Sequence, residues 1–463
     1  MLPLRKDMFE AHDAPLRSSV EGVVWPALPD APGATMLAMQ FQLEQTQWWP
    51  AAELERSQLR QLGNLLRHAY NTIPFWRQRL TAAGYDPDVE VTRQWLSTLP
   101  LLTRGEVQER GEALVSRDSP SAHGRVFQGQ TSGSTGVPIT CYQTELVQFF
   151  WRAFTLRDHL WHRRDFSGKL AAIRSKVENV VLQGWGPATD TAFVTGPCAV
   201  LNIGRDVDMQ LDWLREQDPD YVLTHPSNLQ ALARRALELR MKLARLKEAR
   251  TFGEMLPSDL RPLCRDAWGV PVTDMYSAEE MGYMALQCPK HEHYHVQAEG
   301  VLVEIVDEHA RPCAPGEIGR VVVTTLHNFA MPLIRYDIGD YAEAGASCSC
   351  GRGLPVIRRI MGRQRNLVTF PDGRRHWPSL PSTRWAVVAP VRQYQMVQHT
   401  VFDIEARLVV GRALTAVEQE RLIAVFQELL GYPFQIRLSC VDTIERGPGF
   451  KYEDFVSRIG AAG

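Results

Sequence analysis

The chain has 463 residues, with 51 Lys or Arg against 53 Asp or Glu, so its formal net charge is −2. This balance does not point to nucleic-acid binding, and 44% hydrophobic with 22% charged residues argues against disorder and against an integral membrane protein. Asp7 and Glu10 interrupt the stretch where a signal peptide is apolar. We therefore expect a cytoplasmic protein that binds neither nucleic acid nor membranes.

The first long helix is predicted between Leu54 and Leu80, where apolar residues recur at the three- and four-residue spacing that puts one stripe on a helix. Pro74 is expected to break it. A second helix with such a stripe follows Pro226. Because short β-branched runs separate these helices, the sequence predicts an α/β fold. The runs lie at residues 125–128, 221–224, 301–306 and 320–325.

The last hundred residues have a different pattern. Residues 402–410 alternate apolar and polar, which predicts a strand with one buried face. Thr415 and Glu418 have the spacing of a capping box, which predicts a helix that ends at Gly431, and residues 434–440 alternate again. We expect a large domain at 1–361 and a small mobile α+β domain at 362–463.

A segment rich in hydroxyls and glycine, Gln130-Thr131-Ser132-Gly133-Ser134-Thr135-Gly136-Val137-Pro138, follows a predicted strand. Its glycines let the backbone approach a ligand closely, while hydroxyls and successive amides can donate hydrogen bonds to phosphate oxygens. It lacks the GK[ST] ending of a Walker loop. A polar surface turn is the alternative interpretation, but four hydroxyls within five residues favour phosphate binding.

Later segments follow in a characteristic order: Gly253-Glu254, then DMYSAEEMG at 274–282, PLIRYDIGD at 332–340 and Gly362-Arg363. Together with the hydroxyl-rich segment, they resemble the ordered motifs of the adenylate-forming enzymes. Over roughly residues 45–460 the chain resembles the phenylacetate-CoA ligase branch of that superfamily. The resemblance implies the adenylate-forming fold, with its large N-terminal α/β domain and small mobile C-terminal domain.

The resemblance also implies how the chain binds ATP. The hydroxyl-rich segment would wrap the β- and γ-phosphates, and Gly253-Glu254 with Tyr276 would border the adenine, a flat ring that suits an aromatic neighbour. An aspartate would accept hydrogen bonds from the ribose hydroxyls. Taken alone, this aspartate, Asp340, or the acid Glu280 would be interpreted as a solvated loop acid. The residues implied for the nucleotide are Thr131, Ser132, Gly133, Ser134, Thr135, Gly136, Gly253, Glu254, Tyr276, Ser277, Asp340 and Arg363.

Two catalytic residues follow from the same resemblance. Glu280 would hold Mg²⁺, because a hard cation that bridges phosphates needs a carboxylate. Lys451 would be brought over the α-phosphate when the small domain closes, and its ammonium group would offset the charge that develops there. Trp185 and His225 are candidates for the acid pocket, although a core tryptophan and a histidine preceding a helix are simpler interpretations of them.

A cysteine and histidine pattern is independent of ATP. One cysteine precedes three histidines, and a Cys-Ser-Cys-Gly-Arg segment follows about fifty residues later. Three thiolates and one imidazole make a closed tetrahedral zinc site, which is structural. Reduced thiols beside a surface histidine run are the alternative. The resemblance implies a zinc-stabilised loop held by Cys288, His295, Cys348 and Cys350, with His293 or His291 as the other candidate imidazoles.

Three departures from the family pattern limit these implications. Glu279 stands where relatives carry Ser or Thr, and Ile139-Thr140 stands where many superfamily members place a lysine. The acidic pair expected after Gly362-Arg363 is replaced by Gln364-Arg365-Asn366. Arg365 could serve as the hinge, because a hinge needs only permissive dihedral angles. This departure leaves CoA transfer less firmly implied than adenylation.

The sequence thus predicts an acid–thiol ligase of the AMP-forming type that depends on ATP and Mg²⁺. It would form an acyl adenylate from an aromatic acid, release pyrophosphate and transfer the acyl group to CoA. Transfer to an amine or to a carrier-protein thiol is the first alternative, followed by a nucleotide-binding scaffold without catalysis and a zinc interaction module. Structural Zn²⁺ and a homodimer are further expectations.

Overall fold

The computed structural model describes residues 15–131, 138–447 and 451–459. The chain divides into two compact units. The first unit contains Met1–Leu170, Val180–Val200 and Asp274–Ile360, and the second contains Ala171–Asn179, Leu201–Thr273 and Met361–Gly463. No helix among the described residues combines the length and the apolar character needed to cross a bilayer.

Helices and strands alternate along most of the chain, as the sequence predicts. The helices are α1 (Ala31–Thr46), α2 (Ala51–Thr72), α3 (Pro74–Ala82), α4 (Arg93–Thr98), α5 (Arg104–Arg110), α6 (Glu145–Trp161), α7 (Pro187–Asp190), α8 (Val207–Gln217), α9 (Pro226–Glu238), α10 (Leu260–Trp268), α11 (Ser382–Trp385) and α12 (Ala416–Leu430). The strands are β1 (Val126–Gln130), β2 (Thr140–Thr144), β3 (Leu170–Arg174), β4 (Val180–Leu182), β5 (Cys198–Asn202), β6 (Tyr221–Thr224), β7 (Glu248–Phe252), β8 (Val272–Ala278), β9 (Gly282–Gln287), β10 (Tyr294–Val296), β11 (Val301–Val306), β12 (Ile318–Thr325), β13 (Tyr336–Ala344), β14 (Val356–Arg363), β15 (Val368–Thr369), β16 (Arg375–His376), β17 (Val391–Gln398), β18 (Asp403–Val410), β19 (Gln435–Cys440) and β20 (Phe455–Ser457).

The first unit is built around neighbouring strands in the order β11-β12-β13-β14-β10-β9-β8. The apolar stripe of α2 packs in the core of this unit, with Leu59 partly buried, and each fully buried leucine such as Leu62 or Leu66 contributes on the order of 2 kcal/mol. Ile73 ends α2 in an extended conformation, and Pro74 opens α3, where a missing N–H costs nothing. The predicted break at Pro74 is confirmed.

The second unit contains β7, β6 and β3 side by side, with β6 and β7 parallel. Its tail forms a separate four-stranded sheet in the order β19-β18-β17-β20. A complete capping box between Thr415 and Glu418 starts α12, and Gly431 ends it with a φ of 73°. Leu422, Phe426 and Leu430 of α12 are buried in the core that covers this sheet. The α+β pattern predicted for the tail is therefore confirmed.

Candidate active site and metal centre

Glu280 lies in the tight turn that joins β8 to β9, where Ala278 pairs with Gly282. The turn buries Glu280, which is 5% exposed, and leaves its neighbour Glu279 exposed. The Gln143 side chain fixes this turn by donating a hydrogen bond to the Glu279 carbonyl oxygen at 2.6 Å. The two adjacent acids therefore have different environments, and Glu280 offers the buried carboxylate that suits a magnesium ligand.

Arg104 connects this carboxylate to the base of the hydroxyl-rich segment. Its Nη1 lies 3.7 Å from Glu280 Oε1, and its Nη2 donates to Thr131 Oγ1 at 3.4 Å. Thr131 is itself fixed, because its N–H donates to the Ile139 carbonyl and its hydroxyl accepts from the Ile139 N–H, both at 2.9 Å. The rest of the predicted phosphate loop lies outside the described residues, namely Ser132, Gly133, Ser134, Thr135 and Gly136.

We predict that Arg104→Ala weakens ATP binding at least tenfold, since a lost charge-assisted hydrogen bond is worth roughly 1.5–3 kcal/mol. Arg104→Lys should recover part of the affinity, because it keeps the charge but not the two-pronged geometry. Calorimetric titration of each variant with ATP in excess Mg²⁺ measures the effect. Wild-type affinity in Arg104→Ala would rule out a role for this guanidinium at the phosphates.

Tyr276 and Asp340 also meet in the first unit. The Tyr276 hydroxyl donates to Asp340 Oδ2 at 2.8 Å, and the Tyr276 ring is buried in the core. Asp340 lies on β13 directly after Gly339, whose φ of 84° favours glycine. A buried ring thus orients the carboxylate predicted to hold the ribose. Ser277, the next residue after Tyr276, is half-buried at a register shift between β8 and β9.

A buried arginine fixes the start of β13. Arg335 Nε lies 3.1 Å from Glu304 Oε2, and its Nη1 donates to the carbonyl oxygens of Ser97 and Leu99. Arg335 has a φ of 47°, an unusual value for a residue other than glycine. These contacts hold the backbone of the PLIRYDIGD motif in place, so Arg335 has a structural role that its motif position alone does not indicate.

The second unit places Gly253-Glu254 directly after β7. A Cβ on Gly253 would lie 3.3 Å from the His225 ring and 3.7 Å from Lys451 Cε, so the predicted catalytic lysine runs beside this glycine. Glu254 Oε2 accepts the Ser227 N–H at 3.0 Å and Oε1 accepts the Tyr452 N–H at 2.7 Å. The second unit therefore brings together three predicted site residues, Gly253, Glu254 and Lys451.

The remaining candidates have contacts of a structural kind. His225 precedes α9, and its Nδ1 lies 3.0 Å from the Phe252 carbonyl oxygen. In the first unit, Trp185 Nε1 donates to the Gly168 carbonyl at 2.9 Å. Arg363 ends β14, and its N–H donates to Asn366 Oδ1 at 2.9 Å. These contacts do not test the pocket or nucleotide roles of the three residues, which stay predictions.

Asp454, three residues after Lys451, makes the free energy of unfolding depend on pH. Removal from water raises its pKa from 3.8 to about 6, and the Tyr394 hydroxyl, donating at 3.3 Å, opposes this effect. Between those two pH values the folded protein binds more protons than the unfolded chain, so the free energy of unfolding is larger below pH 4 and falls as the pH rises through 6. Two pKa units correspond to about 3 kcal/mol.

We predict that Asp454→Asn removes this contribution and stabilises the protein above pH 6 relative to the wild type. Urea unfolding of both proteins from pH 4 to pH 8 measures it, and the difference between their free energies of unfolding should grow with pH. Parallel curves over that range would show that Asp454 keeps an ordinary pKa in the folded protein.

The predicted zinc ligands meet in the first unit. One donor atom from each of Cys288, His295, Cys348 and Cys350 lies within 4.8 Å of the others, and all four residues are buried. Two thiolates on a tetrahedral zinc lie about 3.8 Å apart, and a thiolate and an imidazole nitrogen about 3.6 Å. The Sγ atoms of Cys288 and Cys348 are 3.9 Å apart, and Cys350 Sγ lies 3.3 Å from His295 Nε2. The donor set therefore fits the ion.

Backbone hydrogen bonds orient two of the sulfur ligands, and burial acts on the histidine. Backbone N–H groups point at two sulfurs, from Cys350 to Cys348 Sγ at 3.3 Å and from Lys290 to Cys288 Sγ at 3.5 Å. Burial lowers the pKa of His295 to about 3, which keeps the imidazole neutral. His293 Nε2 lies 3.0 Å from Cys348 Sγ, so this histidine borders the cluster as the alternative imidazole.

The loop of the cluster is packed against the end of α1. Arg352 Nε donates to Gln47 Oε1 at 2.7 Å, and its guanidinium lies 4.8 Å from the centre of the Trp48 ring. A Cβ on Gly353 would overlap the Trp49 carbonyl oxygen, so this position requires glycine. The Cys-Ser-Cys-Gly-Arg-Gly segment thus carries two ligands and the residues that dock its loop.

Comparison with curated proteins gives relatives of one kind. The chain is 24% identical over 366 residues to a phenylacetate-coenzyme A ligase from Thermus thermophilus, which covers 75% of this chain and 79% of the relative. It is 25% identical over 329 residues to the Escherichia coli K12 phenylacetate-coenzyme A ligase, and this match covers 68% of this chain and 72% of the relative. No family model matches the chain.

Solved structures have the same architecture. A 2-hydroxyisobutyryl-CoA ligase in the postadenylation state, bound to R3-HIB-AMP, matches with a TM-score of 0.71 and 19% identity over 90% of this chain and 92% of that one. The chain has the adenylate-forming fold. An anthranilate CoA ligase bound to anthranoyl-AMP matches at a TM-score of 0.53 and 16% identity over 70% and 64% of the two chains. The predicted likeness to the phenylacetate-CoA ligase branch is confirmed.

Proposed function

We propose that this protein is an ATP- and Mg²⁺-dependent ligase that converts a carboxylic acid into an acyl adenylate and then into an acyl-CoA thioester. The observation that carries the proposal is the link through Arg104 between Glu280 and Thr131, at the base of the hydroxyl-rich segment. The orientation of Asp340 by Tyr276 supports it, as do relatives that are named as CoA ligases.

In this mechanism ATP is bound by groups of different chemistry. The amides and hydroxyls of residues 131–136 bind the β- and γ-phosphates, and Asp340 accepts hydrogen bonds from the ribose hydroxyls. Glu280 would hold Mg²⁺, which supplies charge neutralisation for the departing pyrophosphate. Arg104 adds a fixed positive charge near Glu280, which suits a chain that has Ile139-Thr140 where many relatives carry a lysine.

The chemistry takes two steps. A carboxylate oxygen of the acid attacks the α-phosphorus, a new O–P bond forms, and the bond to the β-phosphate breaks so that pyrophosphate leaves. The ammonium group of Lys451 offsets the negative charge that develops on the α-phosphate. The CoA thiolate then attacks the acyl carbon and AMP leaves. We propose that residues 362–463 move as one domain between these steps, with Arg365 at the hinge.

We propose an aromatic or arylalkanoic acid as the substrate, because the curated relatives are named for phenylacetate and a structural neighbour for anthranilate. The segment after Arg363 departs from the family pattern, which bears on the identity of the acyl acceptor. Arg365 stands where an acid is expected and forms an ion pair with Glu453 at 2.9 Å. Because this departure leaves CoA transfer less firmly implied than adenylation, an amine or a carrier-protein thiol is the second candidate acceptor.

We further propose that Cys288, His295, Cys348 and Cys350 hold a structural Zn²⁺. The four ligands close the coordination shell, so the ion would stabilise the loop and leave no position for a reacting water. The proximity and the burial of the donor atoms support this proposal.

Product analysis tests the proposed function. The purified protein is incubated with ATP, Mg²⁺ and an aryl acid, and either CoA, hydroxylamine or a primary amine is added as the acceptor. We expect AMP and pyrophosphate in each case, a hydroxamate with hydroxylamine and an acyl-CoA with CoA. Release of ADP, or AMP formation that does not depend on an acid, would refute the assignment. An amide without a thioester would move it to the second acceptor.

A further inference from the structure

The segment that carries Lys451 is fixed by contacts on both sides of it within the second unit. The Gly447 N–H donates to the Lys451 carbonyl oxygen at 2.9 Å. Arg365 Nε donates to Glu453 Oε1 at 2.9 Å, and the Met396 N–H donates to the Asp454 carbonyl at 2.8 Å. These contacts with separate segments of the second unit hold the backbone around Lys451 in place.

Glu254 lies outside the tail and contacts the residue that follows the lysine. Its carboxylate is 4% exposed and its two oxygens accept from two separate segments, Oε2 from the Ser227 N–H and Oε1 from the Tyr452 N–H. Both donors are backbone groups, so both need an acceptor opposite them. A carboxylate is the side chain that presents acceptors in both directions.

The position of Glu254 is rigid. It follows β7 within two residues, and Ser227 lies in the first turn of the thirteen-residue α9, whose N-terminus favours a negative charge. Arg446 completes the arrangement, because its Nη1 donates to Ser227 Oγ at 2.9 Å and lies 3.9 Å from Glu254 Oε1. A helix end and a strand end thus place the N–H of the residue that follows Lys451.

We propose that Glu254 is a positioning residue for Lys451. Its carboxylate holds the Tyr452 N–H and so sets the lysine in the place that adenylation needs, and this contact has to break when the tail segment moves for acyl transfer. The inference rests on the proposed role of Lys451 in adenylation. It differs from the role at the adenine ring that the family resemblance implies for Glu254.

Glu254→Gln is the test substitution, because it keeps the side-chain shape and turns an NH₂ group toward one of the two N–H donors. We expect the rate of acyl-adenylate formation to fall at least tenfold in single-turnover experiments. The affinity for ATP should stay within twofold, and the reaction of added acyl adenylate with CoA should keep its rate. In the protein without substrates, amide hydrogen exchange of residues 451–459 should become faster.

Glu405→Gln is the matched control. Glu405 is another carboxylate of the second unit with an arginine partner, Arg407 at 3.2 Å, and the ion pairs described for it are with side chains outside residues 451–459. Its adenylation rate and its exchange at 451–459 should equal those of the wild type.

Two results would overturn the proposal. If Glu254→Gln weakens ATP binding as much as it slows adenylation, with unchanged exchange at 451–459, the carboxylate acts on the nucleotide. If exchange at 451–459 is unchanged and adenylation is normal, the contact does not position the lysine. A wild-type protein without adenylation would refute the proposed function instead, while the exchange comparison would still decide whether Glu254 holds this segment.

Discussion

Lys451→Ala is expected to slow acyl-adenylate formation by roughly 10²–10³-fold, the cost of removing one preorganised group that stabilises developing charge. ATP binding should change by less than about threefold. The reason is that the ammonium group acts on charge that appears as the carboxylate attacks, so the loss falls on the transition state and not on the bound substrate. The lysine runs beside Gly253 in the second unit.

Rapid quenching of a single turnover, together with an ATP titration, measures the two quantities separately. Lys247→Ala is the control, because it removes the same charge from an exposed lysine of the second unit that pairs with Asp220 at 3.1 Å. Lys451→Arg should recover little activity, since its planar group cannot take the place of a compact ammonium. Equal losses in ATP binding and adenylation would contradict the proposed role.

The second large effect is expected at the metal centre. Cys348→Ser should remove bound zinc and lower the free energy of unfolding by about 3 kcal/mol or more, because loss of a metal ranks among the most destabilising changes. ATP binding should be retained, since neither Glu280 nor Asp340 belongs to the cluster. The purified wild type is predicted to contain one zinc per chain.

Elemental analysis and thermal unfolding of both proteins test this expectation. Cys440→Ser is the control, because Cys440 is an exposed thiol. His295→Gln should lose zinc as Cys348→Ser does, whereas His293→Gln should retain it. A wild-type protein without zinc, or a Cys348→Ser variant with full metal content, would remove the ligand assignment. If His293→Gln lost zinc and His295→Gln retained it, His293 would be the ligand.

Local patterns explain why much of the site was predictable. Tyr276 and Glu280 belong to one strand and its turn, so their motif spacing determines their relative position. Cys348 and Cys350 are close in sequence, but their grouping with Cys288 and His295 follows from the family resemblance, and the folded chain brings the four donor atoms together. The capping box of α12 and its terminal Gly431 are also local signals, and both are confirmed.

Contacts between distant residues could not be predicted in this way. Arg104 has the local pattern of an ordinary surface cation at the start of a capped helix, and its link to Thr131 and Glu280 depends on the tertiary fold. The hydrogen bond from Tyr452 to Glu254 joins residues 198 positions apart. A single sequence has no periodicity that connects such pairs, so both roles emerged only from the folded chain.

Exchange of pyrophosphate into ATP, measured across a panel of aryl and alkyl acids without CoA, shows whether this protein forms an acyl adenylate. The exchange reports reversal of the first step alone, whatever the acceptor of the second. We predict exchange that requires Mg²⁺ and an acid, is strongest with an aromatic or arylalkanoic acid, and is lost in Lys451→Ala. A folded protein that binds ATP but exchanges no pyrophosphate with any acid of the panel would contradict this prediction.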